Sequence, residues 1–450
     1  MSIIYLPIET SKRELISKTF LATKMASLGH QVIVFESSIF DLAGWPYSGI
    51  YIGKNCFRTE IPYSLTHYKK MKEANISVWY LDEEGGIYNS MDKNHWSKML
   101  MNRVQPCDLD SQDKIFAWGR WQATAYNVDG LMASIHITGS PNFDILQAKY
   151  KDSLKDFDLS QTNYEENYIL VNTRFSASNG LRSIEWALSS ETPNAKNLER
   201  GTLGDAIIND GIMQYKLTGL IKQLAEKLPS QKFIIRAHPA EDESFYKTIF
   251  KHLPNVKIIS DGDVSSWIRN CKLLIHNSCT TAIQADIANK KVITFKPEGL
   301  SNYEGPGLPD TIGIVCKNFS EVCDAIENAE YQSSQKMWSD TISELDSIQY
   351  IAGIAKTSLS SKIYVRNLPN ILNKKLFFFK ILTWGKDKLR FLFKRKHLEH
   401  QINQQKFDSS YFSKSKDIFR SAKNYYNADV FLTNSKFNYF IIEPESEPND

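Results

Sequence analysis

Short apolar runs alternate with helix-length stretches along most of this chain, and that alternation leaves few folds open to it. Ile3 to Leu6 reads as a strand ended by Pro7. Thr10 or Ser11 caps a helix to about Leu28, Gly29 closes it, and Gln31 to Phe35 is the next strand. Strand, helix and strand within about 35 residues form a βαβ unit, which implies a parallel pair. The pattern continues with strands at Ile50–Ile52, Ser77–Leu81, Lys114–Trp118 and Ser134–Thr138. Residues 151–167 are polar and of mixed charge and read as a linker. The alternation then restarts, with strands at Tyr168–Asn172, Phe233–Ile235, Val256–Ile259, Lys272–His276, Val292–Phe295 and Gly313–Val315. Two such blocks predict an α/β protein of two doubly wound domains facing a cleft, at residues 1–155 and 165–362, with a basic helical tail at 363–450.

Composition excludes several function classes. A net charge of +3 over 450 residues is too small to imply nucleic-acid binding by itself. The six cysteines are scattered without C-x-x-C spacing and no secretory leader is evident, so the expected setting is reducing and cytoplasmic. No apolar run approaches the roughly 20 residues of a membrane span. Neither G-x-G-x-x-G nor a P-loop occurs, which argues against a dinucleotide oxidoreductase and a P-loop NTPase. The tail differs from the rest. Between Asn373 and His400, lysines and arginines interleave with Phe377, Phe378, Phe379, Trp384, Phe391 and Phe393. Such a segment suits the anionic inner face of a cytoplasmic membrane, where the protein would sit peripherally; a helix packed on the protein's own surface is the other reading.

Four clusters of chemically capable residues fall at expected carboxyl ends of strands, the edge where open α/β sheets bind ligands. Asp82-Glu83-Glu84-Gly85 sets three acids together, which raises at least one pKa and suits base or nucleophile chemistry. Arg236 and His238-Pro239 follow a buried strand; Pro239 holds the imidazole on a rigid exit, where it suits a phosphate. Asn277-Ser278-Cys279-Thr280-Thr281 opens a helix with hydroxyls and free N–H groups, an anion site or an ordinary cap. Asn172 and Arg174 close the first strand of the second block. His276 reads as a packed histidine.

Together these motifs resemble those of GT-B-fold bacterial transferases that use CMP-activated acidic sugars: polysialyltransferases, related sialyltransferases and the β-Kdo transferases of capsule and lipopolysaccharide assembly. The chain also resembles surface carbohydrate biosynthesis proteins through Pro7-Ile8-Glu9, Arg13-Glu14-Leu15, Thr138-Gly139-Ser140-Pro141-Asn142-Phe143-Asp144 and Val171-Asn172-Thr173-Arg174-Phe175. The resemblance covers roughly residues 1–330 and implies two Rossmann-like domains in a GT-B-like arrangement. It implies Glu84 as catalytic base or nucleophile with Glu83 beside it, the choice between them open. It also implies His238, with Pro239, at the leaving phosphate, and Ser278 with Thr280 or Thr281 on the same phosphate. The expected activity transfers a Kdo- or sialic-acid-like sugar from a CMP donor to a glycan or lipid-linked acceptor. No metal and no further cofactor are expected. The alternatives are a GT-B transferase with a UDP-sugar or CDP-glycerol donor, and a non-catalytic, membrane-associated subunit of a polysaccharide assembly complex.

Overall fold

The computed structural model describes residues 2–37, 39–40, 44–54, 62–83, 92–101, 104, 106–162, 167–181, 200–299, 307–343, 346–358, 365–377, 412–434 and 438–445. Two sheets organise it. The first contains β1 (Ile3–Ile8), β2 (Gln31–Glu36), β3 (Gly49–Gly53), β4 (Ile76–Leu81), β5 (Lys114–Ala117) and β6 (Ser134–Ile137), all mutually parallel. The second contains β7 (Tyr168–Asn172), β8 (Phe233–Arg236), β9 (Val256–Ile258), β10 (Cys271–His276), β11 (Lys291–Phe295) and β12 (Ile314–Cys316), also all parallel. Parallel strands with helices on both faces are buried on both sides, which is why β1 and β7 are continuous apolar runs rather than alternating ones. The doubly wound architecture expected from the alternation is the one observed.

Strand order locates the crevices. In the first sheet the order is β13 (Val430–Asn434), β14 (Tyr439–Pro444), β2, β1, β3, β4, β5, β6, so the chain leaves β1 on one side for β2 and returns to its other side for β3. In the second the order is β12-β11-β10-β7-β8-β9, so the reversal lies between β7 and β10. Helices leaving the two strands at a reversal go to opposite faces and open a crevice at the strands' carboxyl ends.

The helix α1 (Ser11–Ser27) is nearly enclosed, with Leu15, Ile16, Phe20, Leu21 and Met25 fully buried. Thr10 occupies its N-cap but makes no side-chain cap bond. The Glu14 carboxylate does that work, accepting from the backbone N–H of Glu9 at 3.1 Å and of Thr10 at 3.3 Å. Gly29, at φ +96°, turns the chain out of the helix into β2, a conformation that any Cβ would strain.

Residues 151–162, expected as linker, belong instead to a helix, Ala148–Thr162. Its buried residues Tyr150, Leu154, Phe157, Asp158 and Thr162 recur at helical spacing, and the charged residues between them form the outer face. Asp158 joins the two lobes. It takes a bidentate pair of hydrogen bonds from Arg269, at 2.6 and 2.7 Å, while Arg269 Nη1 donates to the Ile145 carbonyl at 2.9 Å. Around this pair Trp118, Phe143 and Leu146 of the first lobe pack in one cluster with Trp267, Ile268 and Leu274 of the second.

The chain then recrosses. The helix Ser347–Thr357 lies within the span expected for the second domain, but its Ile348, Ile351, Ala352 and Ala355 pack into the first lobe's core. The buried carboxylate of Asp144, from the Thr138–Asp144 segment, accepts the Ile348 N–H at 2.7 Å and fixes where that helix starts. The last fifty residues, read as helix and polar end, contain the helix Ser415–Tyr426 and also two strands. These are β13 and β14: β14 extends the first sheet antiparallel to β2 through pairs such as Ile441 with Ile33, and β13 pairs antiparallel to β14 at the sheet edge. Most of the basic segment, 378–400, lies outside the described residues. Its described start continues a helix at 368–377 whose Leu368, Leu372 and Leu376 are buried, while Phe377 is 54% exposed.

Candidate functional site

The crevice of the first lobe is lined by buried charge. Glu9 follows β1, Lys54 follows β3 and Glu83 follows β4, and α1 contributes Glu14 and Lys18. Lys18 Nζ lies 2.5 Å from Glu83 Oε1 and 3.3 Å from Glu14 Oε2, and it also donates to the Pro7 carbonyl at the end of β1. Lys54 Nζ is 3.2 Å from Glu9 and 3.8 Å from Glu14. Burial opposes the charge on Lys18, but Glu83 and Glu14 outweigh it and raise its pKa, so the ammonium persists. Burial first, and then Glu14, push the Glu83 carboxyl upward against the pull of Lys18 and Lys54. Removing one partner from such a cluster strands the other, at a cost of about 3–5 kcal/mol. Glu83 is thus held in place by Lys18. Glu84 and Gly85, the other members expected at the chemistry, lie outside the described residues.

The crevice of the second lobe is polar and tightly hydrogen-bonded. Asn172, at the end of β7, donates through Nδ2 to Thr281 Oγ1 at 3.0 Å. Arg174 donates to the Ser278 carbonyl at 2.8 Å. Ser278 adopts a left-handed backbone, φ 49°, which costs a non-glycine residue roughly 1–2 kcal/mol. Its hydroxyl donates to the Asp310 carboxylate, which also pairs with Lys296 at 3.3 Å. The strained turn leads into the helix Thr281–Ile287, where the exposed Thr280 hydroxyl caps nothing. His276 is fully buried, accepting from the Cys279 N–H at 3.2 Å and reaching Thr294 Oγ1 at 2.8 Å. Burial lowers its pKa to about 4, so it is a neutral packing histidine.

His238 and Pro239 are exposed at the end of β8, beside this crevice. His238 to Glu241 is a four-residue turn closed by Glu241 N–H to the His238 carbonyl at 2.8 Å, with Pro239 at its second position, where a fixed φ favours the turn. Ala240 N–H donates to His238 Nδ1 at 3.2 Å. In the neutral ring that bond puts the proton on Nε2.

Arg236 has a different environment from the one its position suggests. Its guanidinium donates to the carbonyls of Asp261 at 2.5 Å and Gly262 at 3.0 Å and lies 5.4 Å from the centre of the Trp267 ring. It therefore clamps the loop after β9. That loop meets the other lobe, because Lys12 of α1 donates to the Ser260 carbonyl at 3.3 Å and reaches Asp261 at 3.4 Å. The first lobe's α1 thus touches the strand-end loop at the edge of the second sheet. Asp261-Gly262-Asp263 has the spacing of a metal-holding acidic pair, yet Asp263 is buried and caps the next helix through Ser265 N–H, while Asp261 is exposed and faces Lys12. Among the described residues no three His, Cys, Asp or Glu side chains converge as metal ligands.

Sequence reasoning missed Lys18, Lys54 and Glu241. Lys18 stands one helical turn after Glu14, a spacing visible in the chain, but its partner Glu83 is distant in sequence. Glu241 closes the stretch that begins at His238, three residues on. Its buried carboxylate accepts from Thr173 Oγ1 at 2.9 Å, Phe175 N at 2.8 Å, His238 N at 3.2 Å and Tyr246 Oη at 2.6 Å. Burial raises its pKa, and those four donors oppose the rise.

No protein-family description matches the chain, and none of the curated proteins matches it. Solved structures do share its outline. A UDP-GlcNAc 2-epimerase from Methanocaldococcus jannaschii, in complex with UDP-GlcNAc and UDP, is 13% identical, with 79% of this chain and 99% of that one covered at a TM-score of 0.43. A further UDP-N-acetylglucosamine 2-epimerase is 11% identical, covering 81% and 98% at 0.48. The wall teichoic acid polymerase TagF is 12% identical, covering 79% and 88% at 0.46. At these identities and TM-scores the likenesses say nothing about what this chain binds or transforms.

Proposed function

We propose that the chain is a glycosyltransferase of surface polysaccharide assembly, with a GT-B-like division of labour between its lobes and a CMP-activated acidic sugar as donor. One observation carries the reading. Both sheets reverse strand order where their carboxyl ends bear ionisable or hydrogen-bonding side chains, and Lys12, soon after β1, reaches the strand-end loop after β9 of the other lobe. The second lobe would take the nucleotide phosphate. His238 Nε2–H donates to it, with Arg174, Ser278, Thr280 and Thr281 along the adjoining strand ends, and Asn172 orienting Thr281.

The first lobe would act at the sugar. As the C–O bond to the phosphate breaks, CMP departs with the electron pair and positive charge develops at the anomeric carbon. Glu84 takes the proton of the acceptor hydroxyl as that oxygen bonds to the carbon, or bonds to the carbon itself and is then displaced by the acceptor oxygen, while Lys18 holds the neighbouring Glu83. His238 offsets the charge that gathers on the leaving phosphate. Arg236 sits one step back, shaping the loop after β9. The basic aromatic segment after residue 377 would bring the cleft to an anionic membrane surface where a lipid-linked acceptor lies.

The test is transfer. Purified protein supplied with CMP-Kdo or CMP-sialic acid and an oligosaccharide acceptor is expected to release CMP in step with product, and His238→Ala and Glu84→Gln are expected to abolish both. Normal turnover by both folded variants would remove the assignment. Transfer from a UDP-sugar or CDP-glycerol alone would replace the donor.

A further inference from the structure

We propose that Glu241 is the positioning residue of the phosphate side of the cleft: its buried carboxylate locks the loops after β7 and β8 in one register and thereby aims His238. This inference rests on the role given above to His238. The geometry is specific. Thr173 and Phe175 belong to the loop after β7, His238 to the loop after β8, and Tyr246 to the helix Glu243–Phe250, and all four present donors to one carboxylate. The same two loops are joined through their backbones, Leu181 N–H to the Ala240 carbonyl at 2.9 Å and Asp242 N–H to the Asn179 carbonyl at 2.9 Å. The group is 2% exposed, and the two backbone N–H groups among its partners can only donate, so the site requires an acceptor there. The turn it anchors is the one that presents Ala240 N–H to His238 Nδ1 and so places the ring proton on Nε2.

Glutamine is the discriminating replacement. It matches the size of glutamate but carries no charge: its oxygen keeps the Phe175 and His238 N–H groups only if its NH2 faces the Thr173 and Tyr246 hydroxyls, which must then turn to accept, so the charge-assisted bonds that lock the loops become neutral ones. Glu241→Gln, His238→Ala and the double variant would be compared by calorimetric titration with CMP, and the two single variants by steady-state transfer, with folding checked by circular dichroism. Each single variant is expected to weaken CMP binding by about 10-fold or more, and the double variant to be no more than about 3-fold weaker than His238→Ala alone, because Glu241 acts through His238. Losses that multiply in the double variant would overturn the inference and leave His238 in its role. A His238→Ala variant that binds CMP and turns over normally would remove the reading beneath it instead.

A second readout does not depend on the nucleotide. In 15N spectra of the imidazoles near pH 8, wild-type His238 is expected to hold its proton on Nε2, and Glu241→Gln to show a mixture of tautomers. An unchanged tautomer overturns the inference whether or not CMP binds. Should Glu241→Gln fail to fold, Thr173→Val removes a single donor and is expected to produce the same two changes to a smaller degree, and no change in either would overturn the proposal.

Discussion

Replacing Asp144 by Asn should flatten the pH dependence of stability, and the structure gives the size of the effect. Asp144 is 1% exposed, accepts the Ile348 N–H at 2.7 Å, and has Asp346 and Lys149 as its charged neighbours, themselves paired at 2.5 Å. Burial, reinforced by Asp346, raises its pKa from 3.8 to about 8. A folded pKa above the unfolded one means that the protonated carboxyl stabilises the fold. That contribution is complete below the unfolded pKa of 3.8 and is lost as pH rises through the folded value of about 8. Between about pH 5 and 7.5 the unfolded carboxyl is ionised and the folded one largely is not. Stability therefore falls by about 1.4 kcal/mol per pH unit from this group, about 3 kcal/mol in all. Asparagine keeps the oxygen that accepts from Ile348 and cannot ionise. Urea unfolding of wild type and Asp144→Asn across that range should show the variant's decline smaller by about 3 kcal/mol, with the variant the more stable of the two at the alkaline end. Parallel curves would mean that Asp144 is ionised in the folded protein and would refute the reasoning.

Other expectations follow from the same geometry. Arg269→Ala should destabilise the junction of the lobes by about 3–5 kcal/mol by stranding Asp158, while Arg269→Met with Asp158→Leu should recover most of it, as denaturation midpoints would report. Lys18→Met should cost about as much and also depress transfer at saturating donor, since it frees Glu83 and the loop behind it; a stable variant of normal kcat would count against the anchoring role. Anionic vesicles should retain the protein at low salt and release it as ionic strength rises, and neutralising the lysines and arginines at 386–396 should abolish retention without altering transfer to a soluble acceptor.

Legibility in the sequence followed burial. β7 was readable to the residue because Tyr168 to Asn172 is buried on both faces and flanked by polar residues. The helix Ala148–Thr162 was not, because only one narrow face is buried and its lysines and aspartates dominate the composition. β13 and β14 escaped because what makes them strands is a partner, β2, some four hundred residues away; their apolar runs are too short to speak alone. The site divided in the same way. Strand-end positions were visible, so Glu83, His238, Ser278, Asn172 and Arg174 could be named, and each lies at or just after a strand's carboxyl end. What each side chain does there depends on distant partners. Arg236 faces carbonyls after β9, Glu83 faces a lysine from α1, and Glu241 faces four donors from three segments.

The central claim is that a CMP-bearing donor binds with its phosphate at His238. Its most direct test is the melting temperature of wild type and His238→Ala against CMP, UDP, CDP and GDP. Only a nucleotide that binds the folded state raises it, by RT ln(1 + [L]/Kd), about 2.7 kcal/mol at a hundredfold excess over Kd. The account predicts a saturable rise with CMP, little with the others, and a marked loss of that rise in His238→Ala. A rise selective for UDP, CDP or GDP, or a CMP response equal in the two proteins, would contradict it.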